Sequence, residues 1–358
     1  MSDLRDLTRD LVSIPSHDDE TDAGDCIEEW LRRETDADVT RDEVGNVIAR
    51  REGAETGESL ALVGHHDVVP PDDSQVDEGE YVLEEHDGRL YGRGAADMKG
   101  AVAAAMCAFR DAQSENLVFV SFVGEEIGGE GARHAIENGF APDYAVVGEG
   151  STGYSAPGVT DVAIAHKGRR ASTITAHGTA AHASEPEAGE NAIYRASEAI
   201  DAVRGMDGPG AEVFGEEVEG SVVATEIEGG SAWNVIPESC SVTVDERTVP
   251  GERAPLSRVE DESVEWAIEQ DLPPMACDDE AFAQRVLAAA ETAQDGNPEA
   301  VTKPHATDAG WLAEAGVTCV VCGPAEPGEA HTKDESVAFD VLERCCGIYR
   351  GVASGAEN

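Results

Sequence analysis

Lysine is nearly absent from this chain: it occurs at Lys99, Lys167, Lys303 and Lys333 only. Each of the four stands near a motif or domain junction taken up below. All basic residues together number 25 against 74 acidic ones, a formal net charge of −49. No basic stripe exists to meet a phosphate backbone, so nucleic-acid binding is disfavoured. No run of about 18 apolar residues occurs, which argues against a membrane-spanning helix. No apolar signal region marks the opening residues, Met1 to Asp10, which are charged from the start. The expectation is therefore a cytoplasmic protein, with no membrane partner. Internal repeats and low-complexity linkers are missing as well.

What is present is acid, spread along the whole chain rather than blocked at one end. A surface this dense in carboxylates repels itself in dilute buffer. In molar salt the Debye length falls to about 3 Å and the repulsion is largely screened, which predicts a halophilic protein rather than one with an acidic interaction tail. The 41% of apolar residues over 358 positions suffices for a large core in two domains or one large α/β domain. The eight cysteines are expected to be free thiols. Cys319 and Cys322 form a C-x-x-C, but no second pair follows at finger spacing, and Val317 to Gly323 reads as a buried strand.

Helical and strand signals alternate in the first part: helices at Leu4 to Val12, Asp25 to Arg33 and Met98 to Arg110, strands at Ser59 to Gly64, Leu117 to Val123 and Tyr144 to Val147. Such alternation predicts an α/β fold with a mixed, partly parallel sheet. From about residue 166 the pattern changes. Strands at Arg170 to Thr175, Val222 to Glu228 and Cys240 to Asp245 surround helical signals at Glu190 to Val203 and Pro255 to Ser263, the latter with proline at its first position. This predicts a small α+β domain, residues 166–272, inserted into a larger one made of residues 1–165 and 273–358. Helices at Ala281 to Ala293, Gly310 to Ala315 and Val337 to Arg350, with the strand at Val317 to Cys322, complete the larger domain.

Four apolar strands run into candidate metal ligands. Leu60 to Val63 leads to His65 and Asp67, Leu117 to Val123 to Glu125 and Glu126, Tyr144 to Val147 to Glu149, and Val317 to Cys322, after a loop, to His331. Open α/β sheets gather their ligand sites beyond the carboxyl ends of the strands. A fifth acid, Asp97, precedes a helix and is placed to cap it while still facing the site. Any one of these alone reads as an ordinary polar residue at a strand end; His66 is read as a neighbour that points away. Two imidazoles with several carboxylates suit Zn²⁺, with Co²⁺ or Mn²⁺ as substitutes. Two cations about 3.5–4 Å apart need a bridging carboxylate, and a nearby acid must move a proton from water to the leaving amine.

The motifs Gly64-His-His-Asp-Val-Val-Pro70, Gly92-Arg-Gly-Ala-Ala-Asp-Met-Lys-Gly100, Gly124-Glu-Glu126, Gly148-Glu-Gly-Ser151 and the final His331 together resemble the aminoacylase / glutamate carboxypeptidase family of dinuclear zinc hydrolases. Within it they look most like the succinyl-diaminopimelate desuccinylase and N-acetylornithine deacetylase branch. The resemblance spans about residues 4 to 350. It implies two Zn²⁺, one held by His65 and Glu149, the other by Glu126 and His331, with Asp97 bridging. Asp67 would orient His65, Glu125 would be the general base and then acid, and a cis peptide would follow Asp97. The segment with Gly178-Thr-Ala-Ala-His-Ala-Ser-Glu-Pro186, Asn234-Val-Ile-Pro237 and Arg247-Thr-Val-Pro250 resembles that family's dimerisation lid, implying a homodimer. His182 would then stabilise the oxyanion with help from Asn234, and Arg247 would hold a substrate carboxylate, unless it is an ordinary surface ion pair. Thr307 and Asp308 fall where the family has a substrate-contacting loop. The activity implied is cleavage of the amide bond of an N-acyl amino acid. A dipeptidase or carboxypeptidase with the same metal site is the alternative. A non-catalytic binding protein on this fold is the third reading, and neither Glu125 nor any ligand has been lost to favour it.

Overall fold

A computed structural model describes residues 2–51 and 57–354. The chain divides into two compact units. One comprises the chain up to Ala165, Met275–Lys303 and the chain from Thr307 on; the other comprises His166–Pro274 with Pro304–Ala306.

The first unit is built on a nine-stranded mixed sheet. Its centre is four parallel strands: β1 (Leu60–His65), β2 (Leu117–Phe122), β3 (Tyr144–Val147) and β4 (Thr318–Val321), in the spatial order β2-β1-β3-β4. They are short and rich in valine and leucine because both faces are covered; every residue of β1 is buried. The hairpin Asp38–Arg41 and Val47–Arg50 continues the sheet antiparallel beyond β2, and Val162–His166 pairs antiparallel with β4. One face packs on the helix Gly100–Asp111, whose run of alanines lets it lie close: all its residues from Gly100 to Phe109 are buried. Helices Glu280–Ala293 and Phe339–Ser354 pack against each other and the latter against that alanine helix. Cys319 and Cys322 are buried in and just after β4, and all eight cysteines are free thiols.

The second unit is a four-stranded antiparallel sheet in the order Ser221–Gly229, Ser239–Thr248, Gly168–His177, Val264–Leu272. The helix Ala192–Arg204 covers it through Ala192, Ala196, Ala199 and Val203, spaced three to four residues apart, which meet Ile174, Val242 and Val244. Asn191 caps this helix by accepting from the Ile193 N–H.

Two local expectations fail. The segment from Pro255 is not an α-helix: only Leu256–Val259 form a 3₁₀ turn, and Pro255 at ψ 54° stands outside it. The chain then enters the edge strand Val264–Leu272, whose alternation is masked by exposed acids such as Glu265 and Glu269. Asp97 does not cap the following helix. It lies inside a π-turn, Ala95–Lys99, with non-helical angles of its own, and the cap position belongs to Lys99 without a side-chain bond. The Asp97–Met98 peptide is cis. Among the described residues no helix is long and apolar enough to cross a membrane.

Candidate metal centre

The carboxyl ends of β1, β2 and β3 lie side by side, so the residues just beyond them converge. His65 closes β1, and its Nε2 stands 3.2 Å from Asp97 Oδ1 and 3.3 Å from Glu149 Oε1. His331, beyond β4, places its Nε2 at 3.2 Å from Asp97 Oδ2 and 3.0 Å from Glu126 Oε1. Asp97 thus turns one oxygen to each imidazole. The donor atoms form two sets, His65–Asp97–Glu149 and Asp97–Glu126–His331, each within 4.8 Å of one another. One nitrogen and two carboxylate oxygens per set fit a borderline divalent cation such as Zn²⁺.

The surroundings hold these donors in place. His65 is 1% exposed; its Nδ1 lies 3.1 Å from the Asp67 carbonyl and 3.2 Å from Asp67 Oδ1. A donor N–H on Nδ1 leaves Nε2 as the lone pair for a cation. Asp67 also ties the neighbouring loop, its Oδ2 accepting from the Glu126 N–H at 3.0 Å. His66 points elsewhere: its Nδ1 meets Ser121 Oγ at 2.9 Å and it is fully buried. Burial drives its pKa down to about 3, so it is neutral.

The charges report a crowded anionic pocket. Burial pushes the His65 imidazole down, yet Asp67, Asp97 and Glu149 outweigh it and raise its pKa well above the usual value. His331 rises to about 10 through its bonds to Asp97 and Glu126. Glu125 is raised well above the carboxylate range, first by burial and then by Asp308, Glu149 and Glu126, with His65 opposing. That is the direction a carboxylate needs if it is to exchange protons near neutral pH.

Lys303 and Glu335 were not singled out as parts of the site from sequence. Lys303, 7% exposed, donates to the Gly150 carbonyl at 2.9 Å and lies 3.3 Å from Glu149 Oε2. Burial lowers its pKa, but Glu149 foremost restores it above the ordinary value. The scarcity of lysine was the available signal. Glu335 is fully buried beside Arg93 and is taken up below. Asp308 is 3% exposed and, among the described residues, neither carboxylate oxygen has a hydrogen-bond partner. Gly129, at φ +74°, faces it so closely that a Cβ there would stand 3.0 Å from Asp308 Oδ1. Thr307 uses its hydroxyl to cap the helix Asp308–Glu314, accepting from the Ala309 N–H.

In the second unit, His182 and Asn234 are brought together. His182 pairs with Val235 in a two-residue ladder, and the Asn234 carbonyl accepts from the Ala183 N–H at 2.9 Å. His182 is exposed, its Nδ1 2.6 Å from Ser184 Oγ. Arg247 is engaged with Asp245, Nε to Oδ1 at 2.8 Å, the ion pair that was weighed against carboxylate recognition.

A mixed α/β sheet with two donor sets beyond the ends of its strands is the architecture of a metal-dependent hydrolase. Residues 61–354 match peptidase family M20/M25/M40, and the chain belongs to that family. It is 32% identical over 333 residues to the acetylornithine deacetylase of Myxococcus xanthus, covering 86% of this chain and 83% of that one. To the succinyl-diaminopimelate desuccinylase of Granulibacter bethesdensis it is 29% identical over 344 residues, covering 87% and 86%. Among solved structures, aminopeptidase PepT from Bacillus cereus shares the fold, with a TM-score of 0.82 at 17% identity over 100% of this chain and 99% of that one.

Proposed function

We propose that this chain hydrolyses the amide bond of an N-acyl amino acid with two divalent cations, zinc by preference, held by His65, Asp97, Glu149, Glu126 and His331. The observation that carries the reading is Asp97, which divides its two oxygens between two imidazoles. The cations would polarise the scissile carbonyl and acidify the attacking water. Glu125 takes that proton and returns it to the leaving nitrogen. Asp67 holds the His65 tautomer. His182, with Asn234, donates to the oxygen on which charge develops, and Arg247 leaves Asp245 to take the substrate carboxylate. Thr307 is assigned to the substrate side of the site. The deacetylase and desuccinylase relatives support an acyl-amino acid as substrate. A dipeptide or other peptide is the second reading, supported by the fold shared with an aminopeptidase.

The test is a hydrolysis screen in high salt with added Zn²⁺ or Co²⁺, over acetylornithine, succinyl-diaminopimelate, other acyl-amino acids and dipeptides. Strong chelators should abolish turnover, and Zn²⁺ or Co²⁺ should restore it. Full activity in metal-free protein overturns the metal reading, and cleavage of dipeptides alone overturns the acyl-amino acid.

We further infer a halophilic, cytoplasmic homodimer. The free thiols suit a reducing compartment. The second unit exposes Trp233 (97%), Tyr194 (71%) and Ile227 (56%), large apolar side chains that a second copy of the chain could cover. The charge of −49 predicts that the melting temperature rises steeply with KCl up to molar concentration. A melting temperature that is flat across that range rejects the electrostatic account.

A further inference from the structure

Glu335 follows His331 by four residues, yet His331 is half exposed and Glu335 is 1% exposed. A carboxylate taken out of water loses its hydration and needs hydrogen bonds and a counter-ion to offset the loss. Glu335 has such partners. Its Oε1 accepts from two successive backbone N–H groups, Ala96 at 3.0 Å and Asp97 at 3.1 Å. Its Oε2 meets the guanidinium of Arg93, itself 3% exposed. The Glu335 carbonyl accepts from the Gly92 N–H at 3.0 Å. The residues that follow, Ser336–Ala338, pair antiparallel with Arg89–Tyr91.

A buried anchor of this kind has an ordinary use, which is to staple one loop to another. The choice of donors says more. The two N–H groups belong to Asp97 and to the residue before it, inside the π-turn that carries the shared carboxylate. Fixing both peptide units fixes the direction in which the Asp97 side chain leaves the backbone. That direction matters because each Asp97 oxygen has its own imidazole, at 3.2 Å in both cases. A rotation of the turn would withdraw one oxygen or the other. The same acid also sits on the loop that delivers His331, a non-glycine residue held at φ 62°, a conformation that residues with a Cβ rarely adopt. Glu335 therefore ties the shared ligand and the second histidine to a single point.

We propose that Glu335 is a positioning residue of the dinuclear centre. It sets Asp97 and His331 in register with each other, and Arg93 is its counter-ion. The inference rests on the two-cation reading above. Partners one step removed from a metal typically contribute 10–100-fold to its affinity.

The experiment titrates Zn²⁺, against a competing chelator and in high salt, into metal-free full-length protein. Four proteins are compared: the parent, Glu335→Gln, the double variant Glu335→Gln/Arg93→Met, and Arg89→Ala. The double variant leaves no unpaired buried charge. Arg89→Ala is the matched control, because Arg89 anchors the same segment through Ser336 Oγ and Glu329 without touching Asp97. Circular dichroism and melting of the metal-free proteins report folding. We expect the parent and Arg89→Ala to bind two Zn²⁺ alike, and the folded Glu335 variants to lose 10–100-fold in affinity. Unchanged affinity in a folded Glu335 variant overturns the proposal and leaves the two-cation reading standing. Equal loss in Arg89→Ala overturns it in favour of loop anchoring, as does failure of both Glu335 variants to fold. A parent that binds fewer than two Zn²⁺ overturns the two-cation reading and this inference together.

Discussion

Glu125→Gln is expected to bind both cations as the parent does and to lose at least ~10²–10⁴ in turnover. The two halves of that expectation come from different features. Neither donor set includes Glu125: the sets are His65–Asp97–Glu149 and Asp97–Glu126–His331, so an amide at 125 leaves every ligand in place. The loop itself is held by its backbone, with Gly129 N donating to Gly124 O at 3.0 Å and Gly128 N to Glu125 O at 2.9 Å. The Glu125 carboxyl is raised by burial and by Asp308, Glu149 and Glu126, with His65 opposing. A glutamine has the same size and cannot take up or return a proton, so the loss falls on turnover. Metal content by elemental analysis and steady-state rates on one preparation check both halves. Normal metal content with a parental rate excludes Glu125 as the base. Lost metal instead makes Glu125 part of the ligand set.

The sequence was most informative where burial is complete. β1 to β4 are mostly buried, so they appear as predominantly apolar runs, and the polar residues at or just beyond their ends, His65, Glu125, Glu126 and Glu149, stand out against that background. The convergence of those ends then follows from parallel strand order. Legibility fades where burial is partial. Val264–Leu272 is an edge strand with five of nine residues half-buried or better, and its acids hid the alternation that would have revealed it after the helical signal at Pro255 to Ser263. The hairpin Asp38–Arg41 and Val47–Arg50 is not evident in the sequence for a related reason, since each strand is only four residues long and the first buries Val39 alone. Asp97 was placed in the site, but its cap role was not found, because the sequence before a helix does not distinguish a capping acid from one inside a π-turn. Glu335 was hidden by abundance: with 74 acids in the chain, one more after His331 carries no signal until its buried hydrogen bonds are seen. Lys303 is the opposite case, a rare residue type standing two positions before the motif His305-Ala-Thr-Asp-Ala309.

Mixing His182→Ala with Glu125→Gln is expected to restore activity if the active form is a homodimer in which His182 serves the neighbouring subunit. All five proposed ligands and Glu125 belong to the first unit, whereas His182 and Asn234 belong to the second. A donor on the carbonyl oxygen is needed opposite the cations as negative charge grows there. The exposed His182, which pairs with Val235 beside Asn234, is the candidate. Suppose that donor comes from the partner. A mixed dimer then has one site carrying both defects and one carrying neither. Random exchange of equal amounts makes about half the dimers mixed, so about a quarter of the sites are intact and the mixture recovers about a quarter of parental activity. If His182 serves its own chain, every site keeps one defect and the mixture stays as inactive as its components. The mixed dimers are verified by differential tags, so that a dead mixture containing them rejects donation between subunits. Such a result leaves the metal chemistry untouched, because the ligands are the same in either arrangement. A live mixture makes closure between two copies part of turnover, and then lid motion rather than proton transfer can set the rate.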